Sequence, residues 1–242
     1  ADAFDLSYED PNGETKMCHQ TTFGMSERLL GAVVGMHGDD KGLIMPPSIA
    51  PFQVVVMPVA SHSDDNVMPA VESLAADLNA SGIRATIDSR DVRPGVKHYD
   101  WEIKGAPIRV ELGPRDLKSS KCIATLRTGG KLEVDLDGAP MKISELLSEV
   151  SDEMRKRANS VASALVQEFP IENLDSKEHD SIVTDGIVYE IAFDGNDSDA
   201  EILEKKTGLT LLGECDESFE EPRKCLVTGN NTTKKQYIAR MY

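Results

Sequence analysis

The period of apolar and polar positions changes several times along the chain, and each change marks an element. Phe4 to Glu9 alternates, which predicts a strand, and Pro11-Asn12-Gly13 is turn chemistry that returns a hairpin through Thr15 to Thr22. Leu29, Leu30, Val33 and Val34 then recur at helical spacing between Ser26 and Met36. The polar run from His37 to Gly42 reads as a loop and Leu43 to Met45 as a short strand. Pro46-Pro47 breaks the pattern and sets a boundary near residue 50.

Gln53 to Val59 is a continuous apolar run, the pattern of a strand buried on both faces of a parallel sheet. Asp64-Asp65 is placed to cap a helix whose apolar face is Val67, Val71, Leu74 and Leu78. Gly82 ends that helix, and Ile83 to Ile87 supplies the next strand of a βαβ unit. Pro94-Gly95 opens a short helix through Trp101 that stops at Gly105. Pro107 to Leu112 alternates as a strand. Lys121–Leu126 and Lys131–Leu136 pair as a hairpin around Thr128-Gly129-Gly130. A long helix is expected from Ile143 to about Gln167, with Leu146, Leu147, Val150, Met154, Val161 and Leu165 on one face. Beyond it, strands are expected at Ile187–Phe193, Leu209–Gly213 and Lys234–Tyr242, with a helix at Asp199–Thr207. The fold class is α/β: a mixed sheet covered by helices, followed by a smaller α+β unit.

Composition adds one contrast. The 242 residues carry a formal net charge of −16, yet Arg84 to Lys131 holds eleven Lys/Arg against six Asp/Glu. That span is therefore +5 on an otherwise acidic protein, which points to an anionic partner met in one place. Residues 168–223 are the opposite, with seventeen acids against four bases, a surface that repels nucleic acid. No stretch has the length of a membrane span and no charged-then-apolar leader opens the chain, so a soluble, cytoplasmic protein is expected. The first residue is Ala1 and a strand follows closely, which reads as a fragment or processed product. Cys18, Cys122, Cys215 and Cys225 are scattered without a CxxC pair, and Cys122 sits in an apolar run as a core residue.

The basic span also carries the chemistry of a nucleic-acid contact. Arg90, Arg93, Lys97, Lys104, Arg109 and Arg115 can meet phosphates. Trp101 can stack a base or pack in the core. Asp88 or Glu102 can accept hydrogen bonds from a guanine edge. Upstream, Arg28 sits at the start of a helix, where it can grip a phosphate bidentately or lie on an ordinary helix surface. His37, Asp39 and Asp40 have metal-ligand chemistry, but a polar turn is the better reading. His19, His62, His98 and His179 stand in no pattern. There is no glycine-rich phosphate loop, Ser-His-Asp ordering or HExxH.

At these residues the chain resembles a known family. HQTTFGMSERLLGAVVGMHGDDKGLIMPPSIAPFQVVVMPV resembles the third class II motif of prolyl-tRNA synthetases and its exit into the anticodon-binding domain. DSRDVRPGVKHYDWEIKGAPIRVELGPRD is similar to the anticodon-binding signature, and KKQYIARMY resembles the C-terminal strand with its terminal tyrosine. The similarity covers the whole chain and is of the archaeal and eukaryotic type.

The resemblance implies three parts. Residues 1–47 are the last piece of a class II catalytic domain, residues 48–167 an anticodon-binding domain of mixed-sheet α/β form, and residues 168–242 a small α+β C-terminal domain. It implies that Arg28 meets the ATP phosphates, that Gln20, Thr21 and Thr22 lie beside the adenosine, and that Phe23 and Gly24 line a proline pocket. Arg90, Trp101, Glu102 and Lys104 then face the anticodon of a proline tRNA. The implied reaction is ATP-dependent, Mg²⁺-assisted attachment of proline to tRNA, in an enzyme that is usually a homodimer. It works by positioning and charge stabilisation, without a side-chain nucleophile.

The earlier class II motifs are absent, so this chain alone is expected to be inactive. Many relatives hold zinc with four cysteines in the last domain; here the corresponding positions read Asp194, Asp199 and Cys225, a poor donor set, and no zinc is expected. The readings from other classes are a stand-alone, non-catalytic tRNA-binding module with the same fold and a different class II synthetase sharing the anticodon domain. The terminal-tyrosine strand and the extra C-terminal domain argue against the latter.

Overall fold

The computed structural model describes residues 4–170, 174 and 186–241, and the last residue of the expected terminal strand, Tyr242, lies outside them, as does His179. The chain divides into two compact units, Ala1–Ser151 and Asp152–Tyr242.

The first unit opens with a small hairpin, β1 (Ser7–Glu9) and β2 (Thr15–Met17), and a helix, α1 (Arg28–His37), none of whose residues is buried. Its centre is a five-stranded sheet in the order β4-β3-β5-β6-β7, formed by β3 (Val54–Pro58), β4 (Ala85–Ile87), β5 (Ile108–Leu112), β6 (Lys121–Leu126) and β7 (Lys131–Asp135). β3 lies parallel to both β4 and β5, pairing Val54 with Ala85 and with Ile108. β5, β6 and β7 continue antiparallel, so the sheet is mixed. The continuous apolar run of β3 is explained by its central place: Val54, Val55 and Val56 are fully enclosed.

α2 (Val67–Ala80) joins β3 to β4 and buries the four apolar residues that its periodicity marks. α3 (Pro94–Ile103), with proline at its start, then carries the chain back across β3 to β5 on the opposite side. The strand order therefore reverses between β3 and β5. In an open α/β sheet, ligands bind outside the carboxyl ends of the strands flanking such a reversal. A one-turn helix, α4 (Pro114–Lys118), leads into β6. α5 (Ala139–Leu165) follows β7 and buries Ile143, Leu146 and Val150.

Three local expectations are corrected. The cap of α2 is Asn66, and Asp64 instead accepts from the Asn66 amide at 3.0 Å, an Asx turn placed two residues too early to cap. Leu43–Met45 is not a strand; it hydrogen-bonds the end of α3 through Leu43 N to Ile103 O and Met45 N to Gly105 O. Val161 and Leu165 are exposed, because only the first half of the α5 stripe is covered.

The second unit has a four-stranded sheet in the order β10-β13-β9-β8, from β8 (Val166–Glu168), β9 (Val188–Ala192), β10 (Thr210–Glu214) and β13 (Lys235–Ala239). α6 (Asp197–Thr207) packs on it, and Tyr189, Ile191, Phe193, Leu203, Leu209 and Ile238 form the core. A short ladder, β11 (Arg223–Lys224) with β12 (Asn231–Thr232), brings Cys225 to that core. Among the described residues no helix is long and apolar enough to cross a membrane.

Candidate nucleic-acid interface

The loops after β3 and β4 and the first turn of α3 enclose a cavity of about 380 Å³ at the reversal point, lined by Ala60, His62, Arg90, Asp91, Lys97 and His98 among others. Ala60, two residues beyond β3, has φ +50°, a left-handed conformation that costs a non-glycine residue about 1–3 kcal/mol. The following turn, Ser61–Ser63, holds His62 3.4 Å from Asp91. On the sheet side, His98 Nε2 meets Glu111 of β5 at 2.5 Å.

The floor is organised by Asp88, only 3% exposed. Its carboxylate accepts from Arg90 Nε at 2.9 Å, Arg90 Nη2 at 2.7 Å, the Arg90 amide at 3.2 Å and Trp101 Nε1 at 2.8 Å. The Arg90 guanidinium above all holds this carboxyl far below the ordinary carboxylate range; burial opposes that and is outweighed, with Trp101 and the Arg90 amide adding to the lowering. Asp88 thus has no free acceptor for a base edge. Arg90 also donates to Asp100 at 2.8 Å, which fixes its fork at the rim of the cavity.

Lys97 is the unusual group. It is 6% exposed, and its Nζ donates to the Asp88 carbonyl at 3.0 Å. Among the described residues it has no carboxylate within ion-pairing distance. A buried cation without a counter-charge is costly, and here it lines a cavity at the point where a parallel sheet receives ligands.

Of the four expected anticodon residues, Arg90 lines this cavity, while Trp101, Glu102 and Lys104 gather at the other end of α3. The Trp101 ring packs on Val55, Met57 and Ala106, meets Phe52 edge-on at 6.2 Å, and is covered by Lys104 Nζ at 4.7 Å. Glu102 faces Arg109 at 3.3 Å, and the Arg109 side chain is 12% exposed. Arg93 and Arg115 are exposed. Sequence reasoning named Lys97 only as one cation among six, and missed His62 and Asp91. The available signal was position: Lys97 falls on the inward side of a helix opened by Pro94.

Gln20, Thr21, Thr22, Phe23 and Gly24 are all exposed in the segment between β2 and α1, and Arg28 is exposed as the first residue of α1. These six positions lie along one short stretch of the chain, distant in sequence from the Lys97 cavity. Asp39 belongs to a polar turn, as the residues indicated. Among the described residues there is no cluster of His, Cys, Asp and Glu suited to a metal ion.

The three degenerate zinc positions have other employment. Asp194 accepts from Thr228 Oγ1 at 2.8 Å, Asp199 accepts from the Asn196 amide at 3.0 Å within the cap of α6, and Cys225 Sγ receives the Thr228 amide at 3.5 Å. Thr228 first, then Cys225 and Asn230, hold the Asp194 carboxyl below its ordinary range. One buried thiol and two carboxylates engaged in hydrogen bonds do not fit a structural zinc site.

Residues 53–153, which contain this mixed five-stranded sheet, match the family described as Anticodon binding domain. The chain is 40% identical to a proline–tRNA ligase of Methanoregula boonei over 212 residues, 87% of this chain and 43% of that protein. It is 35% identical to the proline–tRNA ligase of Methanobrevibacter smithii and 37% identical to that of Thermococcus kodakarensis, each across 100% of this chain and 51% of the relative. The chain belongs to the prolyl-tRNA synthetase family. It spans about half the length of the curated relatives it matches.

Proposed function

We propose that this chain supplies the tRNA-recognising part of a proline–tRNA ligase, with the anticodon loop of a proline tRNA entering the cavity beneath Ala60. The buried, unpaired charge of Lys97 at the sheet's reversal point carries the reading. An RNA phosphate or base acceptor placed there satisfies the donors that Lys97 has left over, and the Arg90 fork at the rim meets the backbone. Trp101, Glu102 and Lys104 support α3 and offer a second contact surface. Anticodon stem-loop RNAs compared by fluorescence anisotropy at two salt concentrations test this. Changing an anticodon guanine is expected to cost about 1–3 kcal/mol. A loss of affinity that follows salt and ignores the anticodon would mean electrostatic attraction alone.

The parts follow the layout 1–47, 48–167 and 168–242. In the complete, cytoplasmic and homodimeric enzyme, Arg28 would hold the ATP phosphates, Gln20, Thr21 and Thr22 the adenosine, and Phe23 and Gly24 the proline pocket. ATP and Mg²⁺ supply activation of the carboxyl group. With those six residues exposed and the earlier class II motifs absent from this sequence, the chain alone is expected to catalyse no proline-dependent ATP–pyrophosphate exchange; measurable exchange by the purified chain would overturn this. The reading as a non-catalytic tRNA-binding module shares the same interface and differs only in what accompanies it.

The hydrogen-bonded state of Asp194, Asp199 and Cys225 supports a C-terminal unit that folds without zinc. Overnight dialysis against EDTA is expected to leave its circular dichroism and melting temperature unchanged, and metal analysis to find far less than one zinc per chain. One equivalent of zinc, with unfolding on its removal, is the contrary result.

A further inference from the structure

Arg127 lies in the turn between β6 and β7, 88 residues from Asp39, yet the two form a bidentate pair: Nη1 to Oδ2 at 2.9 Å and Nη2 to Oδ1 at 2.5 Å. The arginine side chain is 4% exposed and the aspartate 28%. The same guanidinium donates to the Gly42 carbonyl at 3.0 Å and the Glu102 carbonyl at 3.3 Å. One side chain therefore ties the loop that follows α1 to the last turn of α3.

The backbone around this knot leaves no slack. Leu43 and Met45 donate to the Ile103 and Gly105 carbonyls at 3.2 and 3.0 Å. A Cβ on Gly42, which has φ +128°, would come 2.6 Å from Ile103 Cα, and one on Gly105 would come 2.6 Å from the Leu43 carbonyl oxygen. Each segment carries a glycine where the other's backbone comes close, Gly42 against Ile103 and Gly105 against Leu43. α1 buries none of its own residues in this chain, and only Val33 and His37 are half-covered. Its direction is inherited through Gly38, whose amide still bonds Val34, from the loop clamped by Arg127.

We infer that Arg127 is a positioning residue: its clasp on Asp39, Gly42 and Glu102 fixes the Arg28-bearing helix relative to the cavity at the far end of α3. α3 acts as the strut. Its ten residues span about 15 Å, with Lys97 near one end and the clasped Glu102 carbonyl at the other. The roles given to Arg28 and to the cavity rest on the function proposed above, whereas the mechanical role of Arg127 does not.

Residual dipolar couplings of the isotope-labelled 242-residue chain read this orientation directly. In the wild type the α1 amides are expected to fit the alignment tensor of β3 and β5. Arg127→Met and Asp39→Asn should each shrink the α1 couplings at least twofold, while the couplings of β3 and β5 and the affinity for an anticodon stem-loop RNA stay within twofold. A loss of stability alone would not move the couplings of a folded α1. Unchanged α1 couplings in both variants, or α1 already averaged in the wild type, would overturn the inference. Loss of the sheet's own couplings in Asp39→Asn would overturn it too, since Arg127 would then serve the sheet. Should Arg127→Met fail to fold, Asp39→Asn on the more exposed side decides. Failure of the wild type to bind RNA would sink the proposed function and leave the coupling test intact.

Discussion

Replacing Asp88 by alanine is expected to destabilise the first unit by about 3 kcal/mol, read as a lower urea midpoint. The substitution removes the acceptor of the Trp101 indole N–H and the Arg90 amide, and a buried donor left unpaired costs about 1–3 kcal/mol. It also frees the Arg90 guanidinium, but that side chain is 47% exposed and water takes over part of its solvation, which keeps the figure below that of a fully buried pair. Asp88→Asn preserves an acceptor and should lose less. The pH dependence has a definite sign. The folded carboxyl titrates well below its unfolded value near 3.8, so its stabilisation is complete above that value and is lost as pH falls towards the folded pKa. In that window this one group contributes a decline of about 1.4 kcal/mol per pH unit. The asparagine variant lacks that contribution, so its stability should fall less steeply below pH ~4 than the wild type's. Equal urea midpoints for wild type and alanine variant at pH 7 would show that Asp88 carries no such weight.

The same carboxylate marks the limit of what sequence patterning reveals. Period identified the elements that depend on one face being wet or dry. β3 reads as fully buried and is; β5 alternates, with Ile108, Val110 and Leu112 enclosed and Arg109 and Glu111 half-covered. Short elements leave no full period to detect: α4 went unread, and β8 was read as the end of the long helix, which stops at Leu165. The basic island was real as a count but misleading as a surface. Arg84 spends its guanidinium on the Ala50, Pro47 and Ser48 carbonyls, Arg109 faces Glu102 and the His98 carbonyl, and Arg127 clasps Asp39. Net charge counts cations without regard to direction, and direction is set by partners tens of residues away. The resemblance supplied the family, and the reversal of strand order between β3 and β5 supplied the location of the cavity.

That distinction between inward and available cations leads to Lys97→Met, for which affinity and stability are expected to move independently. Methionine matches the length and flexibility of the lysine stem but carries no charge. Loss of the bond to the Asp88 carbonyl costs about 1 kcal/mol, and removing an uncompensated buried cation returns a comparable amount or more. Stability in urea should therefore stay within about 1 kcal/mol of the wild type or rise. Affinity for the anticodon stem-loop should fall about tenfold or more, and the slope of log K against log salt should flatten by about one if the lysine meets a phosphate. If it meets a base edge instead, the slope is kept and discrimination at one anticodon position is lost. A lysine placed there to hold the fold would show the reverse: a large drop in stability, with RNA affinity unchanged in whatever fraction remains folded. Lys104→Met is the comparison at the second contact surface, because Lys104 covers Trp101 at the opposite end of α3, and it is expected to lose less affinity than Lys97→Met. Equal losses of RNA affinity in the two variants would mean that RNA reads the general charge of α3 and not the cavity at the reversal of the sheet.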